Sequence, residues 1–231
     1  MTVPIGGLMK FSTIDFPGVL SCVLFLRGCD LDCFYCHNRG LLGPGEDLPW
    51  SQVQDFLRRR AGMLDGVVVS GGEPTLHPGL PELLAELKGL GYKVKLDTNG
   101  QRTALVQDFV KQGLVDYVAV DWKAPQGQYP SVCGGDPTGR ERTKATIDWL
   151  WESGAPFEVR TTLYPGLSSQ DLLELAGELP PVPLYRINYY RQPKEYKPED
   201  EGRIKAKALS PQEVKLLRAG LAAAQPNIVL E

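Results

Sequence analysis

The sequence predicts an α/β protein, a partial (β/α)6 barrel of TIM-like type with parallel strands and a C-terminal covering helix. Three observations carry that prediction. Short apolar runs alternate with amphipathic stretches of helical period in six strand-then-helix steps along the chain. No hairpin-type turn joins successive runs, so parallel pairing through right-handed helical crossovers is expected. Polar and glycine-rich residues gather at the carboxyl ends of the runs, the end at which parallel α/β folds bind ligands. A doubly wound sheet satisfies the same alternation and stays the competing architecture, because strand order is not written in one sequence.

Taken in order, Leu20–Leu26 is unbroken apolar and reads as a buried strand that runs into a cysteine loop, and Ser51–Met63 follows as an amphipathic helix. Further strands are expected at Gly66–Ser70, Tyr92–Asp97, Asp116–Val120, Phe157–Leu163 and Leu184–Tyr190. Helical patterns lie near Leu80–Leu90, Thr103–Gln112, Arg140–Glu152 and Ser169–Leu179. Gln192–Ser210 is rich in Lys, Glu and Pro and reads as a solvated loop. Ser210-Pro211-Gln212-Glu213 then opens a closing helix, with proline at its first position and an acid in the first turn, where the helix dipole favours one. The expectation is one domain over residues 1–231, with its core at about 6–190 and the loop and covering helix at about 191–231.

At 231 residues and 42% hydrophobic content the chain can bury a substantial core. Its net charge of -3 lacks the basic excess of nucleic-acid binders, so no nucleic-acid partner is expected. Residues 1–10 hold no basic cluster followed by a long apolar run, which predicts neither a secretion signal nor a membrane span. A cytoplasmic, reducing setting follows, in which the five cysteines are metal ligands or core thiols rather than disulfides.

Cys29, Cys33 and Cys36 crowd into one run, Gly28-Cys29-Asp30-Leu31-Asp32-Cys33-Phe34-Tyr35-Cys36-His37-Asn38. Three readings compete. Cys33-Phe34-Tyr35-Cys36-His37 fits the spacing of covalent haem attachment, but leaves Cys29 without a role. Zinc held by the three thiols and His37 is chemically feasible, although adjacent side chains seldom face one tetrahedral ion. A four-iron, four-sulfur (4Fe-4S) cluster usually takes four thiolates, so three would leave one iron open to another ligand. Other polar motifs follow the strands: Gly71-Gly72-Glu73-Pro74 the second, Asp97-Thr98-Asn99-Gly100 the third, and Asp121-Trp122-Lys123 the fourth, with Arg160-Thr161-Thr162 on the fifth. Each alone passes as a turn or a solvated polar group. Their convergence on one face points to a site.

The C-x3-C-x2-C run with an aromatic before its last cysteine, followed by Gly71-Gly72-Glu73-Pro74, resembles the radical S-adenosylmethionine (SAM) superfamily. Thr13-Ile14-Asp15-Phe16-Pro17-Gly18, Tyr35-Cys36-His37-Asn38, Leu96-Asp97-Thr98-Asn99-Gly100 and Asp121-Trp122-Lys123 narrow the resemblance to activating proteins of glycyl-radical enzymes, nearest those of anaerobic ribonucleoside-triphosphate reductase. The match runs from about Gly6 to Tyr190.

The resemblance implies a radical SAM oxidoreductase with one 4Fe-4S cluster on Cys29, Cys33 and Cys36. SAM would complete the fourth iron, and one-electron cleavage would yield a 5'-deoxyadenosyl radical that takes hydrogen from a glycine Cα of a partner enzyme. It also implies that Gly71, Gly72 and Glu73 meet the methionyl amine through backbone groups, and that Tyr35 and His37 border the adenine. Asp97, Thr98 and Lys123 would contact the methionyl or ribose part, with Lys123 pairing with the carboxylate. Asp97, Thr98 and Asp121 are alternative ligands of a monovalent cation. Asp15 and Arg160 are substrate-side candidates, and a flavodoxin- or ferredoxin-like protein would supply the electron. Two other functions share the scaffold: a radical SAM enzyme acting on a small molecule, and a non-catalytic iron-sulfur redox protein.

Departures from the family pattern narrow this further. A late histidine used by some activases is missing, since His37 and His77 are the only two; Arg191 and Gln192 are candidate replacements. No extra cysteine quartet is present, so a second cluster is not expected. Cys22, in the first strand, reads as a buried thiol, and Cys133, before Gly134-Gly135, as a surface or half-buried thiol on a loop. His77 reads as a helix-start residue.

Overall fold

The computed structural model describes residues 3–230. Eight strands are observed: β1 (Ile5–Ser12), β2 (Ser21–Leu26), β3 (Gly66–Gly71), β4 (Lys93–Thr98), β5 (Tyr117–Asp121), β6 (Phe157–Thr162), β7 (Tyr185–Asn188) and β8 (Ile228–Leu230). Nine α-helices accompany them among the described residues: α1 (Trp50–Arg60), α2 (Leu80–Gly89), α3 (Thr103–Lys111), α4 (Tyr129–Cys133), α5 (Gly139–Ser153), α6 (Ser169–Gly177), α7 (Glu201–Ile204), α8 (Pro211–Leu216) and α9 (Arg218–Ala224). Strand order follows chain order from β1 to β8. A doubly wound sheet reverses its order at a switch point; a sequential order is singly wound, as in a partial (β/α)6 TIM-like barrel. The six expected strands are β2 to β7, each within a few residues of its expected position.

The chain divides into two compact units, the first formed by the chain through Asp30, Gly40–Thr98 and Ala104–Ala119, the second by Leu31–Arg39, Asn99–Thr103 and the chain from Val120. In the first unit β2, β3 and β4 pair in parallel, Val23 opposite Val68 and Val69 opposite Leu96. The valines of β3 are fully buried, which explains an apolar run without alternation. Phe16, Val23 and Val68 pack with Val19, Phe25 and Tyr117. Basic Arg58, Arg59 and Arg60 close α1 where the helix dipole favours cations.

One expectation fails here. The chain does begin with a hairpin-type pair: β1 lies antiparallel to β2, with Leu8 opposite Leu24. Its pattern was hidden because Gly6, Gly7, Lys10 and the exposed Met9 and Phe11 give neither an apolar run nor a clean alternation.

In the second unit β6, β7 and β8 pair in parallel, Arg160 opposite Arg186 and Tyr185 opposite Ile228. Trp122, Tyr129, Phe157, Tyr164 and Tyr185 are its large buried side chains. Capping boxes start α6 (Ser168 with Asp171) and α8 (Ser210 with Glu213), and α8 opens with Pro211 at its first position as the sequence led one to expect. The covering helix is two short helices, α8 and α9, rather than one. Gln192–Ser210 also differs from the expected solvated loop. It contains α7, and Ile204 and Pro193 are buried. Lys197 pairs with Asp32 and Arg203 lies over Phe34, while most of its other charged residues are exposed.

Candidate functional site

Within the first unit, two glycines bring the end of β3 against the start of the cysteine loop. The Gly72 N–H donates to the Leu26 carbonyl (2.8 Å) and the Glu73 N–H to the Gly28 carbonyl (2.8 Å). A Cβ on Gly72 would stand 1.9 Å from the Gly28 oxygen, and one on Gly71 2.3 Å from Leu26 backbone atoms. Gly71 also holds φ at 120°, which side-chain-bearing residues avoid. These glycines are thus required by the protein's own main chain at Leu26–Gly28, whatever ligand also approaches them.

Glu73 is fully buried and its side chain is engaged in structure. Its Oε1 accepts from the Thr75 N–H (3.0 Å), the Thr75 hydroxyl and the Thr98 hydroxyl (2.7 Å). Thr98 is thereby tied to the Gly-Gly-Glu turn. Asp97 accepts from the Ser70 hydroxyl (3.0 Å) and lies 3.6 Å from Lys95 Nζ. Lys95, only 1% exposed, also donates to the Asp15 carbonyl and stands over the Tyr117 ring at 5.6 Å. Asp15 receives the Ser12 hydroxyl. Sequence reasoning missed Lys95, the residue that ties Asp15 to Asp97; a lysine inside a Val/Leu run, at a position that should face the interior, was the available signal. His77 is two residues short of α2, and its ring Nε2–H donates to the Arg27 carbonyl (2.7 Å), bracing the end of β2 rather than starting a helix.

Within the second unit, Cys33 and Cys36 share a tight turn in which the Cys36 N–H donates to the Cys33 carbonyl (3.0 Å). Arg39 ion-pairs with Asp32 (2.9 Å) and donates to the Cys33 carbonyl (2.9 Å), and Lys197 pairs with Asp32 from the C-terminal segment. Cys33 and Tyr35 are buried, Cys36 partly so, and His37 is exposed. The Cys33 thiol is held well above its ordinary range by a hydrogen bond with Cys133 and by burial, and burial pushes Cys36 up as well. Cys133 is therefore not the surface or half-buried loop thiol the sequence suggested: it is fully buried at the end of α4.

Tyr35 stacks on Tyr164 with ring centroids 5.0 Å apart at 15°, and Phe34 meets both rings edge-on. Arg203 lies over Phe34 at 3.8 Å and donates to the Ser131 carbonyl (3.0 Å). Tyr164 was also missed; its hydroxyl is buried with no hydrogen-bond partner. Asp121 is bracketed by Lys123 (3.0 Å) and Arg160 (3.0 Å), one on each carboxylate oxygen. Burial alone would raise the Asp121 carboxyl, yet these two cations bring it down to about 2. Lys123 is held the other way: burial works against its charge, but Asp121 and the nearby thiols push it well above the lysine range. Arg191 and Gln192 are exposed.

The donor types fit an iron-sulfur centre. In the second unit Cys33 and Cys36 sit on a backbone fixed by hydrogen bonds and by the ion pairs of Asp32, buried and half-buried; in the first unit Cys29 is half-buried. Among the described residues no three His, Cys, Asp or Glu side chains gather closely enough to hold a single metal ion. No helix there is long and apolar enough to cross a membrane.

Comparison with known proteins bears on the family and the fold. The radical SAM superfamily profile matches residues 23–179. A Methanocaldococcus jannaschii protein, provisionally named a glycyl-radical enzyme activating enzyme, is 32% identical over 204 residues, covering 84% of this chain and 82% of that one. The pyruvate formate-lyase-activating enzyme of Staphylococcus aureus is 39% identical over 98 residues, which are 39% of each chain. In structure, SuiB of Streptococcus suis matches with a TM-score of 0.66 at 19% identity, over 89% of this chain and 47% of that one. TYW1, solved with a lysine-pyruvate adduct, matches at 0.61 and 22% identity, over 89% and 73%. The structural likenesses show a shared fold; the family profile spanning residues 23–179 and the 32% identical relative place the chain as an enzyme of the radical SAM superfamily.

Proposed function

We propose that the protein is an activase that generates a glycyl radical on a partner enzyme. The observation that supports this most is the 32% identity to a protein named as an activating enzyme, over 84% of this chain and 82% of that relative. Cys29, Cys33 and Cys36 would hold a 4Fe-4S cluster, and the chemistry it would supply is the one-electron reductive cleavage of SAM that starts hydrogen abstraction from the substrate.

The chain's own residues do the rest. The backbone of Gly71–Glu73 and the carboxylate of Asp97 receive the methionyl amine, with Thr98 fixing the turn through Glu73. Lys123 meets the methionyl carboxylate as a point charge, oriented by Asp121. Tyr35, backed by Tyr164, and His37 border the adenine. Asp15, positioned by Ser12 and Lys95, and Arg160 face the substrate peptide. A monovalent cation on Asp97, Thr98 and Asp121 is the least supported part, because Lys123 and Arg160 already engage both Asp121 oxygens. A flavodoxin- or ferredoxin-like donor, and an anaerobic ribonucleotide reductase as the partner, complete the reading.

The experiment mixes reconstituted, reduced protein and SAM with the candidate reductase. A glycine-centred electron paramagnetic resonance doublet on the reductase is expected. SAM turnover without any glycyl radical on it would reject that partner and favour small-molecule chemistry.

A further inference from the structure

Cys33 and Cys36 stand on a short stretch that the second unit grips residue by residue. Asp32 and Phe34, on either side of Cys33, donate their N–H groups to the Cys133 carbonyl (2.8 Å) and the Val132 carbonyl (3.2 Å) at the end of α4. Arg39 pairs with one oxygen of Asp32 (2.9 Å) and donates to the Cys33 carbonyl (2.9 Å). Further grips come from the C-terminal segment. Lys197 pairs with the other Asp32 oxygen, from 165 positions away along the chain. Arg203 lies over the Phe34 ring at 3.8 Å and donates to the Ser131 carbonyl in α4 (3.0 Å), so one side chain holds both the loop and the helix to which the loop is bonded. The segment is itself fastened at both ends: Pro193 is buried, and Ile204 is buried with its carbonyl accepting from the Tyr190 hydroxyl (3.0 Å).

Resting on the cluster reading above, we propose that residues 193–204 form a strap that holds the Cys33–Cys36 turn in its cluster-binding shape before the cluster arrives, with Lys197 and Arg203 as its positioning residues. A slack loop of thiols loses conformational entropy at the moment it takes up iron and sulfide, which weakens binding. A loop already held by the chain has lost that entropy on folding, so uptake and retention both gain. The strap reaches the two residues that flank Cys33 and no others of the turn, which is where a grip fixes the ligand's backbone from both sides. Each contact is modest, because Lys197 and Asp32 keep side-chain exposures of 42% and 39%; an exposed ion pair or cation–π contact shifts a local opening equilibrium by about twofold to fivefold.

Amide hydrogen exchange of the cluster-free full chain tests the strap with no cofactor present. The Asp32, Phe34 and Cys36 N–H groups should exchange about twofold to fivefold faster in Lys197→Ala and in Arg203→Ala, while amides of β6 and β7 keep their wild-type rates. Lys197→Arg should stay near wild type, and Lys197→Ala should add nothing on an Asp32→Asn background. After reconstitution, iron release to a chelator should quicken in the same two alanine variants by a like factor. Both side chains are partly exposed, at 42% and 44%, so their truncation opens no buried cavity and the variants fold. Unchanged loop exchange in both alanine variants would overturn the proposal, and so would a rise spread evenly over the second unit, which marks plain packing. Faster loop exchange with iron release unchanged would overturn it as well. A wild-type chain that takes up no cluster would fail the cluster reading, and the strap's role with it, whatever the exchange rates show.

Discussion

Asp121 shows how neighbours set a side chain's role. Its two oxygens each hold a cation, Lys123 and Arg160 at 3.0 Å, and its carboxyl titrates at about 2 in the folded chain. An unfolded aspartate titrates near pH 3.9. The ion pairs therefore stabilise the fold fully above about pH 4, and that stability is lost as pH falls through about 2. Acid unfolding of the cluster-free protein should show this as a steeper loss of stability between those values, and Asp121→Asn should flatten it. An unchanged acid limb in the variant would remove the pairing. The sequence placed Asp121 and Lys123 after the fourth strand and Arg160 on the fifth but not their mutual pairing, because contacts between β5 and β6 depend on register. Lys95 and Tyr164 escaped for the same reason: their partners Asp15 and Tyr35 are distant in sequence.

Elements were legible where a pattern was locally unambiguous. β3 is an apolar run closed by Gly-Gly, α6 has a helical period, and α8 opens with Pro211 and an acid in its first turn, so each was expected within a few residues of its place. β1 and β8 were not, since a glycine-rich strand and a three-residue strand take their structure from the neighbour they pair with. α4 reads poorly as well: with proline and serine inside five residues, it exists because its end docks on Asp32 and Phe34. The turn after β3 is the element most sensitive to change. Gly72→Ala should cost more than about 2 kcal/mol, because its Cβ meets the Gly28 carbonyl at 1.9 Å and backbone must move. Denaturant unfolding of the cluster-free protein measures this; a loss below about 0.5 kcal/mol, the range of ordinary surface changes, would mean the turn relaxes freely.

For the molecule as a whole, the sequential strand order decides between the two architectures that the alternation of runs left open. The cysteine spacing and the glycine turn carried the family assignment from the sequence, and the profile match over residues 23–179 bears it out. The C-terminal segment was the least legible stretch. Its charges suggested solvent, whereas Lys197 and Arg203 reach Asp32 and Phe34 on the loop that carries Cys33. The substrate is not legible at this scale, because relatives sharing the fold differ in what they act on. The chemistry is. The most direct test incubates the anaerobically reconstituted, reduced protein with SAM and measures methionine and 5'-deoxyadenosine. The account predicts both products in equal amounts from the wild type, and neither from Cys33→Ala. A wild-type protein carrying a full 4Fe-4S cluster that forms neither product would contradict it.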